Sequence, residues 1–146
     1  MIHTDLTMLK EPLQKSVMEA LDEMRHDETL RTLGASGVEV SETLRELPTQ
    51  MAYYSRGRMV VSDVQAMYKA AGLYGIGSDD AQKVVTWTLD SKHLRGEAVD
   101  LVPTLSGTPW WGAPDSVWNR MGAIGELHGL KWGGRWKNSD NPHFEI

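Results

Sequence analysis

Apolar residues in the first quarter of the chain recur at the spacing of one helix face. The stripe consists of Leu13, Val17, Leu21 and Met24. Pro12 suits a first helical turn and Gly34 suits a stop, so the pattern predicts helix from Pro12 to Leu33. The polar run at 26–28 interrupts the stripe and indicates a break in the helix. We therefore expect a helical N-terminal part that covers about residues 1–35.

Two further helices are predicted later in the chain. Ser62 and Gln65 have the spacing of a capping box, and apolar residues with helical spacing follow them as far as Gly72. These apolar residues are Val64, Met67, Tyr68 and Ala71. The segment from Pro114 to His128 repeats the pattern, with Gly129 as its stop. Its expected inward-facing residues are Val117, Met121 and Ile124.

Four short segments are rich in residues that favour β-strands. They are residues 37–41, Val84–Thr88, Ala98–Val102 and Pro142–Ile146. We expect Trp87, in the second segment, to lie in the core. Alternation along the last segment points His143 and Glu145 to one face and Phe144 to the other, where it can anchor in the core. This mixture predicts an α+β domain with helices packed against a small antiparallel sheet.

Three side chains with metal-binding chemistry lie on or beside these predicted strands. Asp100 belongs to the segment Ala98–Val102, and His143 belongs to the last strand. Gly96 permits a turn that brings His93 back towards Asp100. Two imidazoles and one carboxylate, with a position left to water, are a ligand set of hydrolytic zinc sites. We therefore expect His93, Asp100 and His143 to bind Zn²⁺.

Composition narrows the choice of metal ligands and partners. The chain has 146 residues, no cysteine and a formal net charge of -5, which fits one domain over residues 1–146. The lack of cysteine excludes disulfides and thiolate ligands. Acidic balance and dispersed basic residues argue against a nucleic-acid partner. No run approaches the roughly 18 apolar residues of a membrane span, and we expect neither membrane insertion nor a signal peptide.

The candidate ligands belong to three patterns with specific spacing. Ser91 to Asp100 reads Ser-x-His-x-x-Gly-x-Ala-x-Asp, Gly129 to Trp136 reads Gly-Leu-x-Trp-Gly-Gly-x-Trp, and Asp140 to Glu145 reads Asp-x-Pro-His-Phe-Glu. Together they resemble the zinc D-alanyl-D-alanine carboxypeptidase and L-alanyl-D-glutamate endopeptidase family, and above all its small members that serve as phage endolysins. The resemblance runs from about Val38 to the C-terminus. It implies the fold of D-Ala-D-Ala peptidases and hedgehog-type domains.

The resemblance also implies two catalytic residues. Asp140 matches the acid/base of the family, which takes a proton from water and returns it to the leaving amine. Arg45 begins the family's Arg-x-x-x-x-Gln pattern, and the arginine there stabilises the oxyanion of the tetrahedral intermediate. A surface salt bridge is the alternative for Arg45. Glu145 is the rival of Asp140, but we favour a role for it in orienting a ligand or binding substrate.

Five residues are predicted to bind substrate or to support the metal ligands. They are Ser91, Glu145, Trp110, Trp111 and Trp132. The paired indoles of Trp110 and Trp111 are costly to expose, so they either cap the core or line a cleft. Trp132 precedes two glycines, and a turn there allows close approach of another chain. We expect Trp132 to form part of a cleft wall.

Asp140 differs from the glutamate of the family's dipeptidases and agrees with its endolysin-like endopeptidases. The resemblance therefore implies a bacteriolytic, cell-wall-degrading enzyme that cleaves peptidoglycan stems between L-alanine and D-glutamate. Removal of a terminal D-alanine is the alternative. By this interpretation the protein is a monomer without a separate cell-wall-binding domain, made in the host cytoplasm and acting on the wall after release.

Two other classes of protein also fit part of the pattern. Two histidines and a carboxylate build non-haem iron oxygenases as well, but these usually place the first two ligands one residue apart. Here six residues separate His93 from Asp100. A zinc-bearing binding domain that has lost turnover is the non-enzyme alternative, and the presence of Asp140 and Arg45 argues against it.

Overall fold

Five short strands form one antiparallel sheet on which the helices pack. In the computed structural model, which describes residues 1–146, the strands are β1 Gly37–Glu42, β2 Ala98–Leu105, β3 Thr108–Pro109, β4 Lys131–Trp132 and β5 His143–Glu145. Their order is β1-β2-β5-β4, and β3 pairs with the end of β2. The long strand β2 therefore lies at the centre of the sheet. The predicted α+β architecture with a small antiparallel sheet is confirmed.

Six α-helices surround this sheet. They are α1 Glu11–Arg25, α2 Glu28–Thr32, α3 Leu47–Ser55, α4 Val61–Ala70, α5 Ser78–Ala81 and α6 Asp115–Leu127. The predicted break in the first helix occurs as expected, because Asp27 caps α2 by accepting a hydrogen bond from the Leu30 backbone N–H at 2.9 Å. None of the six combines the length and the apolar composition that crossing a membrane requires.

The main core lies between α1, α6 and one face of the sheet. Strand alternation places Phe144 of β5 in this core, fully buried, and leaves His143 and Glu145 on the other face, as predicted. The predicted inward-facing residues of α6 are buried there as well. A second, smaller core joins α3, α4 and α5. The residues that this small core holds in place form one side of the cleft described below.

The segment Val84–Thr88 is not a strand, which contradicts the prediction. It has no partner strand, and its polar atoms meet side chains instead: the Gln50 amide nitrogen donates to the Thr88 carbonyl at 2.7 Å. Trp87 was also predicted wrongly as a core residue, since 66% of it is exposed. β-Propensity describes a residue's fit to a sheet face, and no sheet edge reaches this segment.

Two boundaries also differ from the prediction. Helix α4 begins at Val61, with no side-chain cap, and Gln65 donates instead to the Ile76 carbonyl at 3.1 Å, so the capping box is absent. Strand β2 continues past Pro103 to Leu105. The Pro103 carbonyl accepts from the Trp110 backbone N–H at 2.8 Å. The proline nitrogen therefore faces the side away from β1, where its missing N–H removes no β1–β2 hydrogen bond.

Candidate metal centre

The three predicted metal ligands come together on the solvent-facing side of the sheet. Asp100 of β2 and His143 of β5 are directly opposite each other in the antiparallel register, so their side chains leave the sheet on the same face. His93 lies in a single 3-10 turn, Lys92–Arg95, just before β2. Two strands and one tight turn therefore fix the three side chains.

The distances among the ligand atoms fit one small cation. Nε2 of His93 lies 3.2 Å from Oδ1 of Asp100, and Nδ1 of His143 lies 3.5 Å from the same oxygen. All three ligand atoms lie within 4.8 Å of one another. Tetrahedral zinc with bonds of about 2.0 to 2.2 Å separates neighbouring ligand atoms by about 3.3 to 3.6 Å. The cluster needs little rearrangement to hold such an ion.

Each imidazole has its second nitrogen occupied, which leaves the correct nitrogen for a metal. Nδ1 of His93 lies 2.8 Å from the Thr43 carbonyl, an oxygen that can only accept, so Nδ1 donates there and Nε2 is the nitrogen that faces Asp100 and is available to a metal. Nε2 of His143 lies 2.9 Å from Oε1 of Glu145, so His143 presents Nδ1. Such outer partners orient metal-bound imidazoles and raise their basicity.

Lys92 and Glu145 connect the two histidine-bearing segments. The Lys92 ammonium lies 2.6 Å from Oε2 of Glu145 and also donates to the Ile146 carbonyl at 2.9 Å. Lys92 thus fixes the Glu145 carboxylate, which in turn orients the His143 ring. These contacts agree with the predicted role of Glu145 in orienting a ligand. Burial raises the pKa of Glu145, but the hydrogen bonds from Lys92 and His143 outweigh that effect and give a net lowering.

Gly96 ends the turn that carries His93. Its φ of +68° is left-handed, and a Cβ there would lie 2.7 Å from the Met8 carbonyl oxygen. Ser91 begins the same turn, where its Oγ accepts from the His93 backbone N–H at 3.2 Å. Ser91 also lines the cleft. The turn therefore requires a glycine at one end and a small hydroxyl side chain at the other.

The electrostatics of the cluster favour an ionised Asp100. Burial opposes ionisation, but the charges and hydrogen bonds of His93 and His143 outweigh it and hold the pKa of Asp100 well below its usual range. Burial also lowers the pKa of His143, and Asp100 and Asp140 reverse that effect to give a net rise. A carboxylate that stays ionised and a basic imidazole are both suited to bind a divalent cation.

Asp140 lies beside the cluster without belonging to it. Its Oδ2 is 3.8 Å from Nδ1 of His143, and its backbone is fixed by the Asp140 N–H donating to the Gly133 carbonyl at 2.9 Å. Partial burial, which leaves 46% of the side chain exposed, and the negative charge of Asp100 raise the pKa of Asp140 to about 6. A carboxyl group with a pKa near neutrality can both accept and release a proton.

Arg45 is buried at the base of the cleft and contacts the cluster. One terminal nitrogen, Nη2, lies 2.7 Å from Oε1 of Glu42 and 3.6 Å from Oδ2 of Asp100, and Nη1 donates to Gln50 at 2.7 Å. The salt bridge of Arg45 with Glu42 is therefore buried and does not lie on the surface. Two of its five N–H groups are used by Glu42 and Gln50, which leaves donors for a substrate oxygen.

The sequence did not reveal two partners of this arginine. Glu42 is buried at the end of β1, opposite Asp100 in the register, and its charge is balanced by Arg45. Tyr53 of α3 lies under the guanidinium, 4.7 Å from ring centroid to Cζ, and its hydroxyl reaches Glu42 at 3.3 Å. Helix α3 was not predicted. Glu42 ends β1, Arg45 lies in the connection that follows, and Tyr53 belongs to α3, so their proximity becomes visible only in the folded chain.

The cleft above the cluster has a volume of about 1170 Å³. Trp111 lines this cleft and is 56% exposed. It therefore takes the cleft-lining position that was one of the two alternatives for the tryptophan pair. Trp136 also lines the cleft, with its ring 4.8 Å from that of His143. The irregular segment with Trp87 forms another part of the rim. These residues surround the candidate ligands with large aromatic surfaces.

Two of the predicted substrate residues do not line the cleft. Trp132 is only 3% exposed and belongs to the main core, where its ring packs closely against Gly122 and Gly134. The prediction of Trp132 as a cleft wall is therefore wrong, because the two glycines provide a slot for the ring. Its indole N–H reaches the site indirectly by donating to the Asn141 carbonyl at 2.7 Å. Trp110 packs against the core beside Gly34.

Residues 85–146 match the family described as D-alanyl-D-alanine carboxypeptidase. No curated protein sequence matches the chain significantly. Among solved structures, the zinc-bound vancomycin resistance D,D-pentapeptidase VanY of a VanB-type cassette is similar at 16% identity and a TM-score of 0.52, over 94% of this chain and 72% of that chain. The Serratia marcescens L-Ala D-Glu endopeptidase ChiX has 23% identity and a TM-score of 0.48, over 90% and 86%. The likeness to VanY is one of fold.

Proposed function

Because residues 85–146 match the family described as D-alanyl-D-alanine carboxypeptidase and the candidate ligands are those of a hydrolytic zinc site, we propose that the chain is a zinc-dependent peptidoglycan peptidase that cleaves the stem peptide between L-alanine and D-glutamate. The observation that carries this choice is the aspartate at position 140, next to His143. The resemblance associates an aspartate there with the endopeptidases and a glutamate with the dipeptidases. We further propose that the enzyme acts as a phage-type endolysin on the cell wall after its release.

His93, Asp100 and His143 are the proposed zinc ligands, through Nε2, a carboxylate oxygen and Nδ1. When bound there, zinc lowers the pKa of a coordinated water towards about 7 and polarises the scissile carbonyl. Three protein ligands would leave a zinc ion, which usually takes four, with one position for water or substrate. The absence of cysteine agrees with a catalytic rather than a structural site.

Asp140 and Arg45 are the proposed catalytic groups. Asp140 accepts a proton from the attacking water and returns it to the leaving amine of D-glutamate. Its raised pKa suits both steps. Arg45 donates from its remaining N–H groups to the carbonyl oxygen as negative charge develops. The Glu42 and Gln50 contacts hold the guanidinium still while this happens.

Digestion of purified peptidoglycan tests the bond. The muropeptides released with and without a chelator are identified by mass spectrometry, and new amino termini are labelled before hydrolysis. The proposal requires zinc-dependent exposure of the D-glutamate amine. Release of free D-alanine with no new D-glutamate terminus would instead establish the carboxypeptidase. A zinc-loaded protein that produces neither would be a binding domain.

A turbidity assay tests the lytic role. Purified protein is added to bacteria whose outer membrane has been permeabilised, and optical density is followed over time. The endolysin proposal predicts a fall in density that a chelator abolishes and added zinc restores. Cleavage of isolated stem peptides without any lysis of whole cells would contradict the lytic role, while leaving the peptidase assignment intact.

A further inference from the structure

Three exposed tryptophans surround the candidate metal centre, and the proposed chemistry uses none of them. Trp87, Trp111 and Trp136 are 66%, 56% and 42% exposed, and all three line the same cleft. Isolated apolar side chains on a surface need no explanation, but three indoles on one cleft form a surface of the kind that binds ligands. We call these three residues the aromatic rim.

The cleft is also larger than the proposed reaction requires. Its volume of about 1170 Å³ exceeds the roughly 300 to 1000 Å³ of typical small-ligand pockets. Only the two residues that flank the scissile bond must lie at the metal centre. The remaining space is available for a part of the substrate that is not cut.

The chemistry of the rim fits a neutral sugar. Indole rings offer flat faces for the C–H surfaces of pyranose rings. The polar residues beside them include the uncharged Thr86 next to Trp87, and Asn138 and Ser139 close to Trp136, together with Lys137, all of which line the cleft. Hydroxyl and amide groups of this kind can bond to sugar hydroxyls and acetamido groups.

Cleavage at the L-Ala–D-Glu bond would place the glycan close to the aromatic rim. In a peptidoglycan stem, L-alanine is the residue joined to the glycan, so one residue separates the sugar's acyl group from the L-Ala–D-Glu bond. One residue spans at most about 3.6 Å, whereas the four residues before the terminal D-alanine span up to about 14 Å. Trp136 lies 4.8 Å from the His143 ring. Its position matches a glycan that is one residue away.

We infer that the aromatic rim binds the N-acetylhexosamine rings of the glycan strand, so that the enzyme acts on stems still attached to glycan. This inference rests on the proposed function, since it supplies the non-peptide part of the same substrate. Trp87 stands on the irregular segment 83–90. Arg58 supports it from beneath, with Cζ 5.8 Å from the Trp87 ring and 3.8 Å from the Tyr54 ring.

A binding experiment tests the rim without any turnover. The zinc-loaded protein, labelled with ¹⁵N, is titrated with a peptide-free tetrasaccharide of alternating N-acetylglucosamine and N-acetylmuramic acid, and its six indole N–H signals are followed. The signals of Trp87, Trp111 and Trp136 should shift with one common dissociation constant. The buried Trp118 and Trp132 serve as internal controls and should stay in place. Absence of shifts at millimolar sugar would overturn the inference.

A kinetic experiment ties the rim to the substrate. The kcat/KM for a stem peptide attached to its disaccharide is divided by that for the free peptide. For each of Trp87→Ala and Trp136→Ala this ratio should fall at least about fivefold. Leu127→Ala, which removes an exposed apolar side chain from the end of α6, should leave the ratio unchanged. An unchanged ratio in both tryptophan variants would overturn the inference.

The two experiments separate this inference from the proposed function. If the sugar shifts the rim signals but neither substrate is cleaved, the glycan site stands and the endopeptidase assignment fails. If the free peptide is cleaved at L-Ala–D-Glu and the sugar shifts nothing, the endopeptidase stands and the glycan site fails. Rim shifts with free stem peptide but none with the tetrasaccharide would show that the rim binds peptide, which also overturns the inference.

Discussion

The two sides of the cleft are built in different ways. The metal wall, formed by His93, Asp100 and His143, stands on two paired strands and a capped turn, and each of its side chains has a specified partner. The loop wall, residues 83–90, has no helix or strand and is fixed at a few points by side chains from α3 and the residues after it. Both walls face the same cavity.

The difference corresponds to a division of work. A metal ligand out of place by a fraction of an ångström loses its bond, so the metal wall needs a rigid support. A surface that grips an extended polymer tolerates small displacements, and loops on a rigid scaffold serve that purpose. We therefore expect substitutions on the metal wall to affect chemistry and zinc affinity, and those on the loop wall to affect stability and substrate preference.

The largest effect is expected from Asp140, which lies on the metal wall's side of the cleft. Asp140→Ala should lower kcat by about 100- to 10,000-fold, because the attacking water loses its proton acceptor. Zinc content by mass spectrometry and the melting temperature should stay at wild-type values. Asp22→Ala, an exposed position on α1, is the matched control. Near-normal turnover of a folded, zinc-loaded Asp140→Ala protein would refute the assignment.

The next effect concerns the support of His143. Glu145→Ala should weaken zinc binding by about 10- to 100-fold, as measured by competition with a chelator of known affinity. Glu145→Gln keeps an oxygen that can accept from the imidazole, so its loss should be smaller. Lys92→Met leaves Glu145 in place and should have the smallest effect of the three. If all three variants bind zinc as tightly as the wild type, the contacts from Lys92 through Glu145 do not support His143 as a zinc ligand.

Gln50 links the loop wall to Arg45, which in turn contacts Asp100 of the metal wall. Its loss should change stability and activity but not zinc affinity. Its amide oxygen accepts from Arg45 and its amide nitrogen donates to the Thr88 carbonyl. Gln50→Met should lower the free energy of unfolding by about 1 to 3 kcal/mol, because buried polar groups lose their partner. Activity should fall because the Arg45 guanidinium loses a contact that fixes its position. The zinc dissociation constant should not change. A large loss of zinc would contradict this separation.

A smaller effect is expected where the loop wall touches Gly57. This glycine has a φ of +73°, and a Cβ there would lie 2.6 Å from Cγ2 of Val84. Gly57→Ala should therefore cost about 1 to 2 kcal/mol in the free energy of unfolding by urea. Gly75→Ala is the control, since a Cβ at Gly75 meets nothing within 4 Å. Equal stability of the two variants would show that the loop does not rest on Gly57.

The metal wall could be predicted from the sequence because its signals are local. Alternation along β5 placed His143 and Phe144 on opposite faces correctly, and the spacing around Gly96 indicated the turn that returns His93. The loop wall could not be predicted. Val84–Thr88 has the composition of a strand, but its conformation depends on Gln50 and Gly57, which are distant in sequence.

The position of each tryptophan depends on packing that the sequence does not display. Trp132 is buried because Gly122 of α6 and Gly134 leave a slot for its ring, and these glycines become neighbours only in the folded chain. Trp87 is exposed because no sheet covers it. Composition alone assigns both residues the same preference for burial. The tertiary contacts therefore decide which indole supports the core and which faces the cleft.

The account depends most on one ion shared by His93, Asp100 and His143. Diffraction from a crystal of the zinc-loaded protein, recorded at the zinc absorption edge, locates that ion directly. The account predicts one strong anomalous peak within about 2.0 to 2.2 Å of His93 Nε2, His143 Nδ1 and an Asp100 oxygen. A zinc-loaded crystal with no peak at this position, or with the two imidazoles bound to different ions, would contradict it.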